Sequence, residues 1–210
     1  MILKTFPLGM INTNSYLLID EESKEAVIID LGGDCQVIID EIESYNAKLK
    51  YILNTHGHFD HVLGEKDAQD RLGVDVYIHE NDKIMVENLP LQLKIFGMMS
   101  NADAPSNLKT FTEQDIFKLG NKEIKVIHTP GHTPGSVCFL IENNLFSGDT
   151  LFYTSVGRTD FEGGSFEQIT HSIKEKLFTL NEDITVYPGH DIKTTIGYEK
   201  KYNCYFGSEN

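Results

Sequence analysis

Short apolar or alternating runs open the chain. Ile2 to Phe6, Ser15 to Ile19 and Ala26 to Ile29 are broken by Gly9, Asn12, Asn14 and the charged stretch Asp20-Glu21-Glu22-Ser23-Lys24. Such runs between turn residues predict an antiparallel meander. Past Leu31-Gly32-Gly33 the period changes: Val37, Ile38, Ile42 and Tyr45 fall on one helical stripe, with Asp34 as the expected N-cap. A strand over Leu49 to Leu53 follows, then a helix from Asp60 to Leu72 stopped by Gly73. Val74 to Ile78 reads as a strand, and His79 to Leu89 as a helix ending at Pro90.

Residues 90–110 break the pattern. Leu91, Leu93, Ile95, Phe96, Met98 and Met99 are apolar, but Gly97 and the polar stretch from Ser100 to Asn107 interrupt any long helix. The segment reads either as a lid over a substrate or as a connection tucked against the core. Beyond it, Phe111, Ile116-Phe117, Ile124 to Ile127, Val137 to Ile141 and Asn144 to Phe146 are expected strands, with Asn143-Asn144 as a hairpin turn. A helix over about 166–180, a strand over Ile184 to Tyr187 and a final helical stretch complete the chain. Two β-rich halves, each followed by helices, predict an α+β class with two sheets face to face and helices outside. Neither a sequence repeat nor a low-complexity linker divides residues 1–210, which read as a single domain.

Composition narrows the function classes. With 210 residues and 40% hydrophobic content, the chain can bury a sizeable core. Its 32 acidic against 18 basic residues give −14, which opposes a broad electrostatic grip on nucleic acid or anionic membrane. No apolar run reaches the ~18 residues of a spanning helix, and no signal-type segment follows Met1, so a cytoplasmic protein acting on a small molecule is expected. Oligomeric state is left open, a monomer included. Cys35, Cys138 and Cys204 are widely spaced and read as reduced thiols.

The candidate chemistry is concentrated in Thr55-His56-Gly57-His58-Phe59-Asp60-His61, directly after an expected strand. Three further places share its grammar of apolar strand, Gly or Pro turn and ligand-type side chain: Thr129-Pro130-Gly131-His132, Ser147-Gly148-Asp149 and Pro188-Gly189-His190. Strand ends of this kind can meet at one sheet edge. The candidate ligands are then His56, His58, Asp60, His61, His132, Asp149 and His190. Seven exceed one tetrahedral ion and fit two divalent ions that share a carboxylate and a hydroxide. Each residue also has a plainer reading, Asp60 as a helix N-cap or Asp149 as a turn carboxylate. His79, His128 and His171 lack the strand–turn context and read as core or surface histidines, with His128 a candidate to orient a ligand.

These motifs resemble the metallo-β-lactamase superfamily, whose marks are T-H-x-H-x-D-H, G-H-T-x-G-S, G-D and a final G-H. They stand here at 55–61, 131–136, 148–149 and 189–190. The resemblance implies a four-layer αββα sandwich. It also implies one metal on His56, His58 and His132, a second on Asp60, His61 and His190, and Asp149 between them. Zinc is the expected metal, with iron or manganese compatible. Two divalent ions, two aspartates and a hydroxide leave a centre of about +1, suited to an oxyanion. The expected reaction is attack of metal-bound hydroxide on a carbonyl carbon, with Asp60 orienting the hydroxide. A thioester fits, because its thiolate leaves without a strong general acid.

Within that superfamily the sequence is similar to glyoxalase II, a hydroxyacylglutathione hydrolase. Arg158, in Val156-Gly157-Arg158-Thr159-Asp160-Phe161-Glu162-Gly163-Gly164, matches a basic position that contacts glutathione there and is the candidate substrate-binding residue. Thr159-Asp160 replaces an aromatic position, Ile192 replaces a tyrosine, and the chain ends twenty residues after His190, where that enzyme continues into a helical region. Arg158 therefore also reads as the partner of Asp160. Two alternatives remain: a persulfide dioxygenase-like enzyme with one iron on His56, His132 and Asp149, and a metal-binding protein without turnover.

Overall fold

The computed structural model describes residues 1–98 and 102–207. The first sheet contains β1 (Ile2–Leu8), β2 (Thr13–Ile19), β3 (Glu25–Ile29), β4 (Lys48–Leu53), β5 (Asp75–His79) and β6 (Lys109–Phe111), hydrogen-bonded in chain order. β1, β2 and β3 form the antiparallel meander, and β3 to β6 run parallel. The second sheet contains β7 (Ile116–Leu119), β8 (Lys122–His128), β9 (Val137–Ile141), β10 (Asn144–Gly148), β13 (Thr185–Pro188) and β14 (Thr194–Thr195), in the order β14-β13-β10-β9-β8-β7. A small hairpin, β11 (Leu151–Phe152) with β12 (Ser155–Val156), stands beside it.

Alternation along the strands explains the layering. In β2 every residue is buried, and successive side chains join different cores. Leu17 and Ile19 pack with Ile38, Ile42 and Val62 on the helical side, whereas Tyr16 and Leu18 pack with Phe139 and Phe146 of the second sheet. A strand covered on both faces must belong to an inner layer. The second sheet repeats this: Phe139 and Phe146 face inward, while Cys138, Leu145 and Val186 face Ile169, Ile173 and Ile196. The result is the αββα sandwich. Helices α1 (Gln36–Ser44), α2 (Phe59–Val62), α3 (Glu65–Leu72), α4 (Lys83–Glu87) and α5 (Leu89–Ile95) accompany the first sheet. Helices α6 (Phe166–Ser172) and α7 (Ile196–Tyr202) accompany the second.

Several elements differ from expectation for local reasons. Helix α1 begins at Gln36, whose N–H donates to the Asp34 carboxylate at 2.9 Å; its buried face is Ile38, Ile39 and Ile42, and Val37 is exposed. The helix expected over 60–72 is two helices. At Gly64 the chain crosses the Leu31–Gly33 loop so closely that a Cβ would lie 1.9 Å from the Gly33 carbonyl oxygen. His79 ends β5, a 3₁₀ turn spans Glu80–Asp82, and Pro90 lies in the first turn of α5, where its missing N–H costs nothing. The β9–β10 turn is Glu142-Asn143, with Glu142 at φ +52°, because Asn144 already pairs with Ile141. The helix expected over 166–180 gives way after Ser172 to a wider π turn over Ile173–Leu177.

The described part of the 90–110 segment reaches both the core and the site. Leu89 and Leu93 are buried in the core, while Phe96 lines the cavity described below; Met99, Ser100 and Asn101 lie outside the described residues. All three cysteines are free, Cys35 and Cys138 buried and Cys204 exposed. Among the described residues no helix is long and apolar enough to cross a membrane.

Candidate metal centre

The four strand ends deliver their side chains to one place. His56, His58, Asp60 and His61 follow β4, His132 follows β8, Asp149 follows β10 and His190 follows β13. Three groups of donors form, each with its ligand atoms within 4.8 Å of one another: His56, His58 and His132; His56, His61 and Asp149; Asp60, His61 and His190. Asp149 lies between the halves, with Oδ1 3.4 Å from His61 Nε2 and Oδ2 3.6 Å from both His132 Nε2 and His190 Nε2. Asp60 Oδ2 is 3.3 Å from His61 Nε2 and 3.2 Å from His190 Nε2. Gly189 is required beside this carboxylate, since a Cβ there would lie 2.2 Å from Asp149 Oδ1.

The donor set fits metal ions by its own hydrogen bonding. His56 Nε2, His61 Nε2 and Asp149 Oδ1 are buried with no hydrogen-bond partner, an arrangement that costs free energy unless another group satisfies these atoms. The opposite ring nitrogens are occupied: His56 Nδ1 by the Thr55 hydroxyl at 3.1 Å, His61 Nδ1 by Asp30 at 2.8 Å, and His132 Nδ1 by the Arg158 carbonyl at 2.7 Å. Fixing one nitrogen selects the tautomer that leaves the other with a lone pair toward the cluster.

Electrostatics give the same picture. Burial, then the neighbouring His61, His132 and His58, hold His56 well below the ordinary imidazole range. His58 is pushed down to about 3, chiefly by burial and His132. Burial would raise Asp60 and Asp149, but His61 in both cases, with Thr13 and His190 at Asp60, keeps each carboxyl below its ordinary value. His61 and His190 are the exceptions: burial lowers both, but Asp60, Asp30 and Asp149 together raise His61 well above 6.5, and the hydrogen bond to Asp60 with the charge of Asp149 raises His190. Neutral imidazoles and ionised carboxylates are the forms that ligate divalent ions.

Four supporting residues carry no motif and were not among the sequence candidates. Asp30 accepts from the Thr55 N–H at 2.8 Å and hydroxyl at 2.7 Å as well as meeting His61. Asp82 accepts from Gly57 N at 3.0 Å, Gly135 N at 2.7 Å and Thr133 Oγ1 at 2.6 Å, tying the 55–61 and 131–136 turns together. Thr13 Oγ1 donates to Asp60 Oδ2 at 2.8 Å, and Asn14 Nδ2 donates at 3.0 Å to the carbonyls of Pro188 and Asp191 on either side of His190. The signal for Thr13 and Asn14 was polar residues at the head of a fully buried strand. His128 stacks on His79 at 4.4 Å and lies 2.9 Å from the Pro134 carbonyl, so it touches the turn after His132 rather than a ligand side chain.

A cavity of about 580 Å³ opens over the cluster, and His58, Asp60, His132, Asp149 and His190 all reach it. Arg158 lines it with its guanidinium 3.8 Å over the Phe161 ring and two 2.7 Å hydrogen bonds to the Asp160 carboxylate.

An αββα sandwich with a buried His/Asp cluster at the ends of four strands defines a metallo-hydrolase class of protein. The Metallo-beta-lactamase superfamily pattern matches residues 8–190, and the chain belongs to that superfamily. It is 38% identical to hydroxyacylglutathione hydrolase GloC of Haemophilus influenzae, with all of both chains aligned. Its structure is similar to BLEG-1 B3 metallo-beta-lactamase, with 35% identity and a TM-score of 0.86 over 99% of this chain and 100% of that one. It is likewise similar to TTHA1623 in a di-iron-bound form, with 31% identity and a TM-score of 0.86 over 98% of this chain and 100% of the other.

Proposed function

We propose that this chain is a thioester hydrolase acting on a small acyl-thiol substrate at a dinuclear centre. His56, His58 and His132 would hold one divalent ion, Asp60, His61 and His190 the other, and Asp149 both. Such ions supply Lewis acidity and a hydroxide nucleophile at neutral pH. The observation that carries the reading is Asp60, which faces the cavity while one of its oxygens is fixed by Thr13. A carboxylate so held can orient the attacking oxygen and accept its proton. A thiolate, with a pKa near ~8.5, then departs without a dedicated acid. The full-length likeness to a hydroxyacylglutathione hydrolase supports this substrate class. Zinc is the proposed metal; the likeness to a di-iron-bound structure supports iron as the second reading. The charge of −14 supports a small-molecule substrate over nucleic acid or an anionic membrane.

The test is elemental analysis of protein purified without added metal, paired with a thiol-release screen over thioesters, lactones and β-lactams. Two metals per chain with thioester turnover is the expected result. One iron with thiol-dependent oxygen uptake would establish the dioxygenase reading instead, and metal without any turnover a binding protein.

A further inference from the structure

We propose that the acyl group of the substrate is apolar and aromatic and that its thiol portion is uncharged, a specificity that rests on the thioester reading above. The cavity wall beside His58 is a run of aromatic rings. Phe161 meets His58 edge to face at 5.5 Å, Phe96 meets Phe161 at 5.4 Å, and Phe59 meets Phe96 at 4.9 Å. Phe152 lies across the cavity, 6.2 Å from His190. A group attached to a carbonyl at the cluster therefore lies beside this aromatic wall, which begins at Phe161 next to the ligand His58. Aromatic rings recognise such a group edge to face or offset-stacked, and they offer nothing to a carboxylate.

The charges lead to the same class. Among the described residues lining the cavity, Arg158 is the one cation other than the cluster histidines, and its Nε and Nη2 pair with the two oxygens of the Asp160 carboxylate, which balances its charge. Its guanidinium lies on Phe161, so it acts on the substrate by fixing that ring. Asp191 adds a further negative charge to the lining. Apart from the metal centre, where the carbonyl must sit, an anionic thiol such as glutathione, with two carboxylates, would meet only a cation already balanced by Asp160 and would face the like charges of Asp160 and Asp191.

The test uses metal-loaded protein and four thioesters: phenylacetyl and acetyl esters of N-acetylcysteamine, lactoylglutathione, and the acetyl ester of benzyl mercaptan. The phenylacetyl ester should have a kcat/KM about tenfold or more above the acetyl ester, with lactoylglutathione below both. Phe161→Ala and, separately, Phe96→Ala should lower the phenylacetyl-to-acetyl ratio by about tenfold at unchanged metal content. Preference for lactoylglutathione, equal rates for the two acyl groups, or preference for the benzyl mercaptan ester would overturn the proposal. A phenylacetyl ketone with CH₂ in place of sulfur separates the two readings. If no thioester is cleaved, the thioesterase reading fails. Calorimetric binding of this ketone, weakened about tenfold by Phe161→Ala, would still support the aromatic pocket, and binding indifferent to Phe161 would reject it.

Discussion

Asp30 Oδ2 lies 2.8 Å from His61 Nδ1, and both side chains are fully buried. Asp30 occupies this place at φ +56°, a left-handed conformation that a non-glycine residue adopts at some cost. Its carboxylate also receives both donors of Thr55, whose hydroxyl is within 3.1 Å of His56. One strained residue thus sets the orientation of two neighbouring rings of the cluster, whose centroids are 4.1 Å apart. Asp30→Ala should weaken metal binding by about 10- to 100-fold and cost about 3 kcal/mol of stability through the partners it leaves unpaired. Competition with a fluorescent chelator and a denaturant titration check the two effects; a variant with native metal affinity would remove Asp30 from the centre.

Asp82 does the same work between loops. Two backbone N–H groups and the Thr133 hydroxyl converge on its buried carboxylate from turns far apart in sequence. Asp82→Ala leaves all three without an acceptor, for an expected loss of about 2 to 4 kcal/mol. Because these turns carry His56, His58 and His132, that group of ligands should also loosen. Titration of apo protein with zinc should show one of two sites weakened, whereas a uniform loss at both would point to global unfolding.

The parts of this site that were legible in the sequence are those with a punctuated context. A strand followed by Gly or Pro and then His or Asp marks a chain reversal with a ligand-type side chain, and the four such places gather in one cluster. Asp30 and Asp82 have no such mark: in the sequence each is an ordinary acid near a turn, and only the folded chain puts donors around it. The two-sheet sandwich was legible because the chain reads as two β-rich halves, each followed by helical segments, and each half forms one six-stranded sheet. Pro90 misled because it reads equally as the end of one helix and the first turn of the next, and the packing of Leu89 and Leu93 decides between them. Gly64 looked like an ordinary helical residue because its constraint, the backbone of Gly33, is thirty-one positions away.

Glu65 provides a pH test. It is fully buried, and neither carboxylate oxygen has a hydrogen-bond partner. Burial pushes its carboxyl well above 4.5, opposed by the nearby Asn54 amide and reinforced by the charge of Asp30. A carboxyl raised in the folded state contributes fully below its unfolded value, and that contribution is lost as pH rises toward the folded value. Glu65→Gln keeps the shape and stays neutral, so its melting temperature relative to the natural protein should climb between about pH 5 and about pH 8. Thermal melts of both metal-loaded proteins at the two pH values decide it. An unchanged difference would mean that Glu65 is neutral, or charged, throughout.

Metal removal should separate site from scaffold. The three apolar clusters that join helices to sheets and sheet to sheet contain none of the seven ligand side chains, so their burial does not depend on the ions. The cluster itself keeps His56 Nε2, His61 Nε2 and Asp149 Oδ1 without partners unless ions meet them. Chelated protein should therefore keep its far-ultraviolet circular dichroism but melt at a lower temperature. Ligand linkage requires the difference to grow with the logarithm of free metal, reaching about 4 kcal/mol at a thousandfold excess over the dissociation constant. Calorimetry across a series of buffered zinc concentrations measures that slope. A melting temperature independent of zinc would show that the orphaned atoms are not metal ligands, and loss of secondary structure on chelation would show that the scaffold needs the ions to fold.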